Sequence, residues 1–234
     1  MNTIALICSS ILFITIGLYF VQMVLLCLFP KTESCINIPY SDNLNMYFFL
    51  VIPCLNEELV IQETIKNMLN FKIPNLKIII IDDDSEDNTI NKVLELGNVY
   101  QIDNDNFSLN QYNNENLILL KRHLPNARLG KGKSLNSAYF LISQIIQKQK
   151  LNPDNCIMSV FDADVFISQH ELERVAVILA NEPKTGMVQS RVRMGISTRD
   201  YFLPRMQDME FFIIINRMQN LREYMGTVAA AGNG

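Results

Sequence analysis

The chain's 234 residues are 49% hydrophobic and only 19% charged, with 20 Lys and Arg against 24 Asp and Glu, a formal charge of −4 and a pI near 5.3. This acidic balance argues against nucleic acid as a partner. No charged side chain precedes Lys31, which leaves roughly 200 residues for a single soluble domain, so disorder and a repeat or multidomain architecture are excluded.

The first predicted element covers residues 4–29, a run of 26 residues without a charge, broken only by the amide of Gln22. As a helix it would be roughly 39 Å long against a hydrocarbon core of roughly 30 Å, enough to span a bilayer with some tilt. A cleaved signal peptide would need a basic leader and a small-residue cleavage site; Met1, Asn2 and Thr3 precede the run and Pro30 and Lys31 follow it. The expectation is a single anchor in a plasma or inner membrane, with Lys31 favouring a cytoplasmic body. Five cysteines (Cys8, Cys27, Cys35, Cys54, Cys156) show no metal-ligand or redox spacing, and His123 and His170 stand apart, so free thiols and no zinc are expected.

After a linker over residues 30–46, apolar runs alternate with helical patterns, which predicts an α/β domain with a mostly parallel sheet over 47–234. Strands are predicted at 47–52 (stopped by Pro53), 77–81, 117–121, 157–161 and 186–194. Helices are predicted at 57–69, 87–96, 134–149, 168–181 and 204–224. Residues 98–116 contain an Asn-rich stretch, six Asn among the 13 residues from Asn104 to Asn116, and read as a surface insertion. The Met and Phe residues of the last helix read as core packing, with a bilayer surface as the alternative. The chain stops at Gly-Asn-Gly, which looks like the middle of a domain.

Carboxylates cluster at predicted strand ends, where open α/β sheets bind ligands. Asp82, Asp83 and Asp84 follow one apolar run, and Asp162 and Asp164 follow another. Packed like charges need a neutralising cation, and oxygen ligands suit Mg2+ or Mn2+. The loop Arg128-Leu-Gly-Lys131-Gly-Lys-Ser134 lies between a strand and a helix and could hold phosphate. It nearly spells a P-loop, with Ala127 where that motif needs Gly, and Phe161-Asp-Ala-Asp-Val165 also matches a phosphatase pattern, so both classes stay open.

In order, VIPCLNEE (51–58), IIDDDSEDNT (80–89), GKGKSLNSA (130–138), FDADV (161–165) and MVQSRVR (187–193) resemble the family 2 glycosyltransferases, specifically the membrane-associated processive type that includes cellulose, chitin, hyaluronan and poly-N-acetylglucosamine synthases. The resemblance implies a GT-A fold that takes a UDP-sugar or related donor and transfers the sugar, with inversion, to a glycan or lipid acceptor, as in polysaccharide synthesis. It implies that Pro53, Asn56 and Glu57 line the nucleoside and that Asp83, beside Asp82, holds the uracil edge. Lys131, helped by Arg128, lies near the diphosphate, Asp162 faces ribose and metal, and Asp164 is the main metal ligand. Asp84 stands where the family has Gly. The family's general base and its Gln-x-x-Arg-Trp motif are expected beyond Gly234, so that an inactive donor-binding fragment is the alternative reading.

Overall fold

A computed structural model describes residues 3–28, 45–103, 109, 111–182, 184–190, 201–211 and 225–226. The chain divides into two compact units, one within Ile36–Val188 and another containing Met1–Cys35 and Gln189–Gly232. In the latter, α1 spans Thr3–Leu28, and its window Ala5–Gln22 has a mean hydropathy of 2.0, long and apolar enough to cross a membrane. Its hydroxyls turn inward: Ser9 and Ser10 both donate to Leu6 O at 2.9 Å, and Thr15 donates to Leu12 O at 2.8 Å. A helix that satisfies its own polar groups is compatible with an apolar surround.

The α/β unit runs β1 (Tyr47–Cys54), α2 (Ile61–Leu69), β2 (Leu76–Asp82), α3 (Thr89–Leu94), β3 (Val99–Asp103), β4 (Leu117–Lys121), α4 (Lys131–Gln149), β5 (Cys156–Val160) and α5 (Gln169–Asn181). The sheet order is β3-β4-β2-β1-β5, and every pairing among the described strands is parallel. Covered on both faces, the central strands are mostly apolar, with Lys77 the one charged residue inside them, and alternate residues feed two cores. Phe48, Leu50, Ile52, Ile78 and Ile80 pack with α2, α3 and α5, while Phe49, Val51, Ile79 and Ile81 pack with α4. Right-handed crossovers account for this division. The chain moves from β1 through β2 toward β3 with its helices on one face, then returns from β4 to β5 with α4 on the other.

Three sequence expectations need correction. Pro53 does not stop β1, which continues to Cys54. Phe48 N donates to Asn75 O on the β2 side and Val51 O accepts from Phe161 on the β5 side, so odd-numbered residues direct their backbone toward β5. The β5 ladder ends opposite Val51, and at residue 53 a missing N–H costs no ladder bond. The Asn-rich region is also more than an insertion: it opens with edge strand β3, and Leu109 and Tyr112 are buried against α4. Residues 185–190 form no strand, and the rest of the strand predicted at 186–194 lies outside the described residues.

The last described helix, α6 (Phe202–Phe211), is shorter than the predicted 204–224, of which 212–224 lie outside the described residues. It has no buried residue and leaves Met206 and Met209 exposed, so the core-packing reading does not hold for it. The linker lies almost wholly outside the described residues.

Candidate functional site

The chain leaves β1 toward β2 and later docks β5 on β1's other flank, so the carboxyl ends of β1 and β5 border the point where connections diverge to opposite faces. Such a point is where an open parallel sheet forms a crevice. The ends of β1 and β2, the loops after β1, β2, β4 and β5, and the first turn of α4 meet there and carry every sequence-predicted site residue.

The loops after β1 and β2 are joined by side-chain bonds to backbone. Asn56, in the left-handed region at φ 59°, donates its N–H to Ser85 Oγ at 3.0 Å, and its Oδ1 accepts from Glu86 N at 2.8 Å. Glu57 N donates to Thr89 Oγ1 at 2.8 Å, Glu58 N to Asp87 Oδ2 at 3.1 Å, and Asn88 N to Glu58 Oε2 at 2.9 Å. Asp87 Oδ1 accepts in addition from Thr89 N at 2.9 Å. Burial pushes the Asp87 carboxyl up, but the bonds from Thr89 and Glu58 outweigh it and hold it below its usual range. These residues consume the segment ahead of α2, which is why that helix begins at Ile61 rather than at Glu57.

Asp82, Asp83 and Asp84 take three different roles. Asp82 is buried, with Oδ2 accepting from Ser85 N at 3.1 Å and Oδ1 left without a partner; burial raises its carboxyl above the ordinary value. Asp83 is buried in an ion pair with Arg122, whose guanidinium also donates to Ser134 Oγ at 2.7 Å and to Asn126 O at 2.5 Å. Arg122 thereby joins β2, the loop after β4 and the first turn of α4. Asp84 lies at φ 72°, the conformation a glycine would adopt, so the departure from the family's Gly is accommodated by a residue type that tolerates it. Its backbone O accepts from Arg128 at 2.6 Å, and Arg128 also pairs with Glu86 at 2.6 Å.

On the opposite wall, Gly130 caps α4 at φ 94°, where a side chain would be strained, and no side chain caps this helix N-terminus. Lys131, the first helical residue, forms an ion pair with Asp162, with side-chain exposures of 41% and 35%. Asp164 is exposed two residues on, and Ala163 between them is buried. Glu57 faces this group: burial first, then the charges of Asp164, Asp87 and Asp162, raise its carboxyl above the usual value. Among the described residues no three His, Cys, Asp or Glu side chains are grouped closely enough to enclose a metal. Two carboxylates with the remaining positions left to phosphate oxygens and water are nevertheless what Mg2+ or Mn2+ takes at phosphate sites, so Asp162 and Asp164 fit such an ion.

Sequence reasoning did not single out Arg122, whose place beside Asp83 emerges only once β2 and β4 are paired, with Asp82 opposite Lys121. His123 lies 3.6 Å from Asp84 and 3.2 Å from Asp103, and the thiols of Cys8, Cys54 and Cys156 are free, as expected. A cavity of about 250 Å³ near Leu69, Phe71, Ile73 and Leu76 lies at the amino end of β2 and has no ionisable group in its lining, so it stands away from this chemistry.

The chain is similar to several known proteins. The "probable glycosyltransferase YdaM" of Bacillus subtilis is 29% identical over 147 residues, which is 62% of this chain; the chain spans under a third of that protein's length. The mannosyltransferase PcManGT of Pyrobaculum calidifontis, solved with GDP-Man and Mn2+, is 16% identical at a TM-score of 0.48, covering 97% of this chain and 58% of its own. TarS 1-349 of S. aureus, solved with UDP-GlcNAc, is 15% identical at a TM-score of 0.39, covering 64% of this chain and 39% of its own. The P-loop and phosphatase readings give way to a family model, Glycosyl transferase family 2, that matches residues 49–232: the chain belongs to this family of glycosyltransferases.

Proposed function

We propose that the chain binds a nucleotide diphosphate sugar, a UDP-sugar foremost, and transfers its sugar with inversion to a glycan or lipid acceptor in polysaccharide synthesis at a membrane. The observation that supports this most is the Lys131–Asp162 pair at the uncapped N-terminus of α4, two residues from exposed Asp164. In this reading the loop of Pro53, Asn56 and Glu57 receives the nucleoside, with Asp82 and Asp83 below it. The diphosphate reaches the first-turn N–H groups of α4 and draws Lys131 from Asp162, with Arg128 as the outer cation. Asp162 and Asp164 would hold Mg2+ or Mn2+, which when bound supplies charge neutralisation for the departing diphosphate. Helix α1 is read as the membrane anchor, and the flank at Lys31 puts the α/β unit on the cytoplasmic side of a plasma or inner membrane.

Calorimetric titration of UDP into the full chain in detergent, with and without Mn2+ and with ATP and GTP as comparators, tests the proposal. Metal-dependent UDP binding that is lost in Asp164→Ala is expected. A folded chain that ignores UDP in the presence of Mn2+, or that prefers ATP or GTP, would end the reading.

A further inference from the structure

Thr64 lies in the middle of α2, 2% exposed, on the stripe it shares with Ile61, Ile65 and Met68. A hydroxyl there is out of place among apolar neighbours unless it is bonded, and β-branched residues are not favoured helix formers. A helical threonine ordinarily returns its hydroxyl to the carbonyl one turn back. Here that contact, to Val60 O, is a long 3.4 Å, while the bond to Ala163 O, 99 residues away in sequence, is 2.6 Å. The hydroxyl is therefore directed at the loop after β5.

Ala163 separates Asp162 from Asp164, is itself 4% exposed and packs in the same core as α2. Its carbonyl belongs to the peptide that leads into Asp164, so fixing that oxygen fixes the plane from which the Asp164 side chain departs. Asp162 O meanwhile accepts from Val165 N at 3.3 Å, closing the turn. Beyond the end of α2, Lys72 N donates to Gln169 Oε1 at 2.8 Å, so the segment after Asp162 is fastened at both ends to α2 and the residues that follow it.

We propose that Thr64 is a positioning residue for the cation site: its hydroxyl, bonded to the Ala163 carbonyl, sets the separation and direction of the Asp162 and Asp164 carboxylates. This rests on the reading of those two residues as ligands of Mg2+ or Mn2+. The role is one of orientation from outside the ligand set, and groups of this kind typically change metal affinity by about tenfold or more when removed. Valine keeps the shape of threonine and removes the bond; serine keeps the bond and removes a methyl.

The test follows Mn2+ binding by the full chain in detergent in the presence of UDP, read from loss of the free Mn2+ electron paramagnetic resonance signal, with circular dichroism to establish folding. Thr64→Val is expected to weaken Mn2+ binding about tenfold, and Thr64→Ser to stay within about twofold of wild type. Thr64→Ala, which removes the same bond with a smaller side chain, is expected to weaken it as well and decides the matter if Thr64→Val does not fold. Wild-type Mn2+ affinity in folded Thr64→Val, or in Thr64→Ala where the valine variant fails, overturns the role of Thr64 and leaves the donor site standing. Absence of UDP-dependent Mn2+ binding in the wild-type chain overturns the donor-site reading and the role of Thr64 together.

Discussion

The two walls of the strand-end crevice are built on different principles. The loops after β1 and β2 are joined by short bonds between side chains and backbone, through Asn56, Glu58, Ser85, Asp87 and Thr89, over a buried Asp83–Arg122 pair. The wall made by α4 and the loop after β5 presents exposed charges, Lys131 paired with Asp162 and Asp164 beside them. A wall of satisfied backbone groups keeps its shape whether or not a ligand is present. A wall whose half-exposed ion pair contributes less than about 1 kcal/mol can exchange partners at little cost when a diphosphate and a cation arrive.

The contrast breaks most sharply at the two cations. Arg122→Met strands the Asp83 carboxylate in the interior and removes the link to Ser134 and Asn126. A loss of about 3–5 kcal/mol in urea unfolding is expected, enough to unfold a marginal domain. Lys131→Met should cost less than about 1 kcal/mol of stability while weakening UDP binding in the calorimeter. Equal stability losses for the two variants would mean that both walls are structural and that the proposed division of labour is wrong.

A smaller effect belongs to Asp87, whose carboxylate gathers the N–H groups of Glu58 and Thr89. Asp87→Ala removes what amounts to a cap and a loop clasp, and a loss of about 2 kcal/mol is expected. Because its carboxyl is held below the usual range, the stability it lends is present above about pH 4 and is lost as acid protonates it. Urea midpoints of wild type and variant that converge at low pH would bear this out; a constant gap between them would mean that the carboxylate's charge plays no part.

Features of the fold and site were legible in the sequence where the information was local. The runs that became β1, β2 and β4 were legible because strands buried on both faces are nearly uninterrupted apolar stretches, and β5, half-buried at the other edge, still offered a mostly apolar run; their ends located Asp82, Asp83, Asp162 and Asp164. Strand β3 was missed because an edge strand, VYQID, is half exposed and lacks that run. The partner of Asp83 and the hydroxyl behind Ala163 were not legible: Arg122 and Thr64 reach their partners across 39 and 99 residues, distances over which no spacing rule operates.

A second pH-dependent effect lies on the α4 face of the sheet, away from both walls. Lys77 is 4% exposed, donates to Asn114 Oδ1 at 2.6 Å and lies 5.4 Å from the Tyr112 ring centroid. Burial lowers its pKa to about 8, against an opposing pull from Glu115. In the unfolded chain a lysine keeps its proton to about pH 10.4. Between these values the unfolded chain binds more protons than the folded one, so Lys77 makes stability rise with pH, by at most about 1.4 kcal/mol per pH unit. Below pH 8 the side chain is charged in both states and the burial penalty is undiminished. The thiols of Cys54 and Cys156, raised by burial, pull the other way at alkaline pH, as does the buried phenol of Tyr112. The quantity to read is therefore the difference in urea midpoint between wild type and Lys77→Met from pH 7 to pH 10. That difference should shift in favour of wild type as pH rises above 8; a difference that stays constant would mean that Lys77 titrates as an ordinary solvated lysine.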